Sequence, residues 1–326
     1  MKQQLFEEKF TPQWQQFETQ LRALEKESLP SDKAADQRLF ADEYRSLCHQ
    51  LSLARARSYS PRLVEYLNEL VLRGHQQLYQ RKVSLLSQFQ CFVVLDFPQV
   101  IRREWKLCLV ASALMYLPAF ILTFLVWRYP ELVYTVVNAG MLENFESMYD
   151  PMAEHVGRVR DAGTDFQMFG HYIQNNISIG FRTFAGGIML GIGSIFFLVF
   201  NGSLFGALAG HIINIEYQST FFTFVIGHGS FELTAIALAG AAGLKLGFAI
   251  LSPGQLSRID ALKAAAKVAM KIMYGVILML VIAAFIEAFW SSSGLVHGWG
   301  KYTVGAILWA LVLVYFVRMG RSADGA

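Results

Sequence analysis

The chain has 326 residues, 54% of them hydrophobic and 16% charged, with a positive mean hydropathy of +0.36. That balance excludes an ordinary water-soluble globule and indicates a multi-spanning membrane protein. A net charge of +3 is too small for a nucleic-acid surface and reads as juxtamembrane anchoring.

Charge is spread unevenly. Residues 1–106 hold 16 Lys/Arg and 13 Asp/Glu, whereas the remaining 220 hold 12 and 12. A cytoplasmic amino-terminal helical region over 1–82 followed by a membrane domain is expected. The first 30 residues are polar and carry no signal-peptide core. Phe6, Phe10, Trp14, Phe17, Leu21 and Leu24 recur every three or four residues as one apolar stripe. Pro30 and Ser31 punctuate it. Phe40, Tyr44, Leu47 and Leu51 mark a second helix. A third starts at Ser60-Pro61, a cap followed by proline at the first helical position, and continues through Leu63, Leu67, Leu70 and Val71. Residues 83–106 combine aromatic and aliphatic side chains with Pro98, Arg102, Arg103 and Lys106, the pattern of an interfacial juxtamembrane helix.

The first span is 107–127, an uncharged run of 21 residues that covers about 30 Å, with Pro118 as a kink point. The basic residues before it put the amino terminus in the cytoplasm. Residues 128–180 carry seven acids against three arginines, as an extracytoplasmic segment would. A multi-span domain follows over 181–320, then a cytoplasmic tail at 321–326. Thr183–Gly210 is uncharged over 28 residues, with Asn201-Gly202 as its natural break. Ser219–Leu251 is interrupted at Gly227-His228-Gly229. Arg258, Lys263, Lys267 and Lys271 mark a cytoplasmic loop, and Val268–Trp290 and Tyr302–Val317 supply two more spans. Parity requires an odd number of crossings between residues 181 and 251. The fold class is therefore an all-α polytopic membrane protein with about six spans, or four plus a re-entrant segment near His228.

Ionisable groups at membrane depth are costly unless paired or hydrated. His228 and Glu232, four apart, share a helix face and could relay protons or bind a cation. Lys245 lies 13 residues beyond Glu232, about 20 Å along a straight helix, so the two meet only through a broken segment. Asn201, His228, Glu232 and Lys245 are the polar site candidates, and Glu287 reads as an interfacial residue. Gly187 and Gly191, then Gly202, Gly206 and Gly210, then Gly240, Gly243 and Gly247 set small residues in stripes that let helices cross closely, within one chain or between two. No catalytic motif is present, Cys48, Cys91 and Cys108 show no metal spacing, His228-x-x-x-Glu232 is not a zinc-protease signature, and no resident metal or cofactor is expected.

Asn175-Asn176, Asn201-Gly202, His228-Gly229-x-x-Glu232-Leu233 and the run Ala239–Gly247 together resemble the stage II sporulation protein M family, most strongly between 175 and 250. Phe97-Pro98 with Arg102 is similar to the family's entry into the first span. The resemblance implies a bacterial or archaeal cytoplasmic-membrane protein without established catalysis. The spore formers' namesake is described as anchoring cell-wall hydrolases, and other relatives are encoded near MoxR-type ATPases and von Willebrand-type domain proteins. The leading expectation is a non-enzymatic membrane scaffold of envelope processes with both termini cytoplasmic. Its partners would be membrane lipids, proteins met by the cytoplasmic helices or outer segment, and a second copy of the chain. The alternative is an ion or lipid transporter or channel.

Overall fold

A computed structural model describes residues 2–26, 34–79, 85–152, 162–293 and 296–321. The Pro30-Ser31 break, the start of the interfacial stretch at residue 83, Glu154, Asp161 and the tail beyond 321 lie outside them. The described residues are helical with no strand among them, and the chain divides into two compact units, Met1–Gln88 and Phe89–Ala326.

The first unit contains α1 (Gln3–Lys26), α2 (Ala34–Ala56) and α3 (Pro61–Tyr79). The α1 stripe turns inward: Phe6, Trp14, Phe17 and Leu21 are buried with Phe40, Leu47, Leu51, Leu63, Leu67 and Leu70 in one core. Phe17 stacks on Phe40 with ring centroids 5.0 Å apart, and the Trp14 indole N–H donates to Gln50 Oε1 at 2.6 Å. The apolar stripe is thus occupied within its own unit.

The second unit starts in α4 (Leu85–Cys91), passes through a π turn at Phe92–Asp96, and continues as α5 (Phe97–Arg103). Phe89 and Val94 are exposed, whereas Phe97, Pro98 and Ile101 are buried against the bundle. α6 (Trp105–Arg128) runs without interruption through Pro118. Beyond it lie a 3-10 turn (Pro130–Thr135) and α7 (Ala139–Tyr149), the latter capped by the Asn138 side chain, which accepts from the Met141 amide. α8 (Ala162–Ala185), α9 (Ile192–Asn214), α10 (Gln218–Leu251), α11 (Arg258–Phe285, prolonged by a π segment Ile286–Ser291) and α12 (Gly298–Arg318) follow.

Among the described residues, five helices are long and apolar enough to cross a membrane: α6, α9, α10, α11 with its π segment, and α12. α8 is a sixth bundle helix by packing. Phe169 meets Phe285 and Phe289 near its start, and Gly180 meets Leu280 and Val276 further along, so α8 runs antiparallel to α11. Gln167, His171, Gln174 and Asn175 on its exposed side keep its composition polar.

Two expected breaks are absent. α9 passes straight through Asn201-Gly202, where the Asn201 amide donates back to the Phe197 carbonyl at 2.7 Å and the helix ladder is kept. α10 likewise passes through Gly227-His228-Gly229. The chain reverses instead at 186–191, where Gly191 adopts the left-handed conformation (φ +86°) that glycine tolerates, and at Ile215–Tyr217. The segment 128–180 also changes character midway, since α8 from Ala162 onward belongs to the bundle.

The glycines sit at backbone crossings. A Cβ at Gly202, Gly206 or Gly210 would meet the carbonyl oxygens of Met115, Ala119 and Thr123 at 2.0, 2.2 and 2.6 Å, so α9 lies parallel to α6 in backbone contact. At Gly187 it would strike Gly243, at Gly247 it would strike Gly191, and at Gly240 the Leu198 side chain. These stripes are used inside one chain. Charge separates along the bundle. Arg102, Arg103, Lys106, Arg258, Lys263, Lys267, Lys271, Arg318 and Arg321 gather toward the end where α6 and α11 begin, and Glu131, Glu143, Glu146 and Asp150 toward the other.

Candidate functional site

The polar centre lies in the half of the bundle nearer its acidic end, where α10, the π segment and α12 meet. His228 and Glu232 stand one turn apart on α10, with His228 Nε2 3.9 Å from Glu232 Oε2. Facing them is Glu287: one ligand atom from each of His228, Glu232 and Glu287 lies within 4.8 Å of the others. His228 is buried, and the two glutamates are partly buried. The π segment contributes to this arrangement, because its wider turn shifts Glu287 and Ser291 out of the α-helical register of α11.

A second layer holds the imidazole. His228 Nδ1 is 3.0 Å from Ser291 Oγ, and the ring stands edge-on to Phe224 with centroids 5.4 Å apart. When Nδ1–H donates to that hydroxyl, the Nε2 lone pair faces the carboxylates, the tautomer a metal ligand requires. Buried Lys301 on α12 donates to the Ser291 carbonyl at 2.7 Å and fixes the end of the π segment. Tyr149, at the end of α7, lies within the field of the cluster. Burial raises its hydroxyl pKa, and Glu287, Tyr172 and Glu232 raise it further, so it stays a neutral donor.

The other candidates go elsewhere. Lys245 stands about 20 Å from Glu232 along unbroken α10 and pairs with Glu104 at the α5–α6 junction, Nζ to Oε1 2.7 Å. Asn201 bonds to its own helix. Asn175 donates to Asn176 Oδ1, and Asn176 is buried. Glu287, Ser291 and Lys301 were not among the site candidates from sequence. Glu287 is the sole acid within Val268–Trp290, and that isolation is a signal a sequence carries by itself.

Chemically, two carboxylates and an imidazole at this spacing can share protons or hold a cation. Two adjacent carboxylates in a low-dielectric bundle do not both stay ionised without a counter-charge. A divalent ion would neutralise both, with imidazole as a third, uncharged ligand. This donor set suits first-row ions such as Mn²⁺, Fe²⁺ and Zn²⁺.

A family model described as a domain of unknown function (DUF8413) matches residues 4–80, the first unit. An uncharacterized protein of Methanocaldococcus jannaschii is 29% identical over 128 residues, 37% of this chain and 69% of that protein. No solved structure matches. The family model for Stage II sporulation protein M matches residues 109–292, more than half of the chain and inclusive of His228, Glu232, Glu287 and Ser291. With five helices able to cross a bilayer, this is a membrane protein, and it belongs to the stage II sporulation protein M family.

Proposed function

We propose that this protein binds a divalent first-row metal ion between His228, Glu232 and Glu287 and carries it across the cytoplasmic membrane, with no chemical conversion. The observation that carries the reading is the meeting of three donors within 4.8 Å inside a bundle of apolar helices. Donors around one such ion stand about 3–3.5 Å apart, given bonds of roughly 2.0–2.2 Å. The His228–Glu232 spacing of 3.9 Å needs a small inward movement, and closing the full set from within 4.8 Å needs up to about 1.5 Å. The basic end faces the cytoplasm by the positive-inside rule, which puts both termini there and the site toward the outer face. With α8 crossing as well, the crossings number six.

The test is metal uptake into liposomes that contain the full chain and an entrapped metal-sensitive dye. Glu287→Gln and His228→Ala are expected to slow uptake at least tenfold, while Asn201→Ala, outside the cluster, leaves it unchanged. Equal uptake by wild type and Glu287→Gln would sink the proposal.

A second reading, a membrane scaffold, is favoured by one observation: residues 1–88 form a compact unit with its own core. On that reading the polar surface of the unit recruits protein partners. Deletion of residues 1–88 would then abolish partner capture while metal uptake persists.

A further inference from the structure

A second polar feature lies at the opposite, basic end of the bundle. A cavity of about 870 Å³ opens there between α5, α11 and the chain just after α12, lined by Asp96, Gln99, Arg102, Arg103, Lys271 and Arg321. Four cationic side chains face one carboxylate, and Lys271 and Asp96 stand 4.0 Å apart. The volume falls in the range of small-molecule sites, about 300–1,000 Å³, and exceeds a single phosphate group several times over.

The walls are built by the fold. Arg102 Nη1 donates to the Phe316 carbonyl at 3.0 Å and to that of Met319, capping the end of α12. Gly320, in the left-handed region at φ +74°, turns the chain back. Its carbonyl accepts from Gln99 Nε2 at 3.0 Å, which secures the turn that presents Arg321. Arg103 precedes the first apolar helix by two residues, Arg321 follows the last by three, and Lys271 lies where α11 becomes apolar. The cavity thus sits at the level where apolar helices give way to charge.

An aromatic pair lies about one turn from two of the lining residues, Asp96 and Lys271. Tyr274, nearly one turn beyond Lys271 on α11, is 56% exposed, and Phe92 lies about one turn before Asp96. The Phe92 and Tyr274 rings meet edge to face with centroids 6.4 Å apart. Exposed tyrosine beside basic residues is the pattern of a membrane–water interface, and basic pockets between helices on the cytoplasmic side accept phosphorylated headgroups.

We propose that this pocket binds the phosphate of an anionic phospholipid, with the cationic side chains on the headgroup and an acyl chain along Tyr274 and Phe92. A soluble phosphate offers the same anion to the same side chains. The neighbouring Phe92–Tyr274 pair favours the lipid. The site is separate from the His228 cluster, and the proposal stands whether or not a metal ion is transported.

The test is native mass spectrometry of the full chain released from bilayers of phosphatidylglycerol and phosphatidylcholine. Wild type is expected to retain phosphatidylglycerol at least tenfold over phosphatidylcholine, with no loss in 10-fold excess inorganic phosphate (on the order of millimolar) and weakening with added salt. Arg103→Gln, Lys271→Gln and Arg321→Gln combined should remove the preference. All three side chains are exposed, so folding is expected to survive. Arg258→Gln, Lys263→Gln and Lys267→Gln combined take three charges from the same end outside the cavity and should leave retention unchanged. Equal retention of the two lipids, undiminished retention in the first triple variant, or equal loss in both triples would overturn the proposal. Displacement by inorganic phosphate would overturn the lipid as its source.

Discussion

Gly206→Ala probes the middle of the α6–α9 crossing. The added Cβ would lie 2.2 Å from the Ala119 carbonyl oxygen and 2.8 Å from the Ala119 carbonyl carbon and Cα. All three atoms are α6 backbone and cannot rotate away. Since real Cβ contacts essentially never fall under 3.0 Å, α9 must retreat by roughly 1 Å, which loosens the Gly202 and Gly210 crossings on the same stripe. Overpacking of this kind costs about 1–3 kcal/mol. At about 2–4 °C per kcal/mol, the apparent melting temperature in detergent should fall by at least about 2 °C. Gly170→Ala is the control, because a Cβ there meets nothing within 4 Å in the interior of α8, and alanine gains about 0.5–1 kcal/mol over glycine in a helix. A Gly206→Ala protein as stable as wild type, beside a stabilised Gly170→Ala, would refute the α6–α9 backbone contact.

Two further outcomes follow from the charged groups outside the cluster. Lys245→Met leaves the largely buried Glu104 carboxylate without its 2.7 Å partner and should cost about 1–3 kcal/mol in detergent unfolding, most of it recovered in Lys245→Met with Glu104→Gln; additive losses would mean the pair is not coupled. In the first unit, Arg73 donates to both oxygens of Glu25 at 2.9 Å, and this hydrogen bond holds the carboxyl pKa below its ordinary value of 4.5. A lowered folded-state pKa contributes stability that is complete above the ordinary value and is lost as pH falls through the lowered one. Amide protection of α1 and α3 should therefore weaken below about pH 4.5 in wild type, with a smaller acid-dependent loss in Arg73→Gln; identical acid profiles would contradict the pairing.

The membrane class was legible because apolar runs longer than about 20 residues leave few other options. α6 and α11 follow directly from such runs, and α12 from the shorter apolar run Tyr302–Val317. α8 was hidden because its exposed Gln167, His171, Gln174 and Asn175 give it the composition of an outer segment, while its buried side answers to α10 and α11. The sequence does not reveal that the helices continue through Asn201-Gly202 and Gly227-His228-Gly229. There glycine serves close packing or lies beside Ile286 and Trp290, and the helix ladder stays intact. His228 and Glu232 were legible as a pair through their four-residue spacing. Glu287 was not placed with them, since it is 55 residues beyond Glu232 and its direction depends on a π turn that periodicity does not reveal. Lys245 would reach them only through a broken α10, which is continuous, and its partner Glu104 lies 141 residues away.

The most direct measurement is the metal content of the full chain in lipid nanodiscs, equilibrated with Mn²⁺ or Zn²⁺ and then desalted. The account predicts one ion per chain in wild type and none in Glu232→Gln with Glu287→Gln. No retained ion in wild type, or equal retention in the double variant, would contradict a metal site at His228, Glu232 and Glu287.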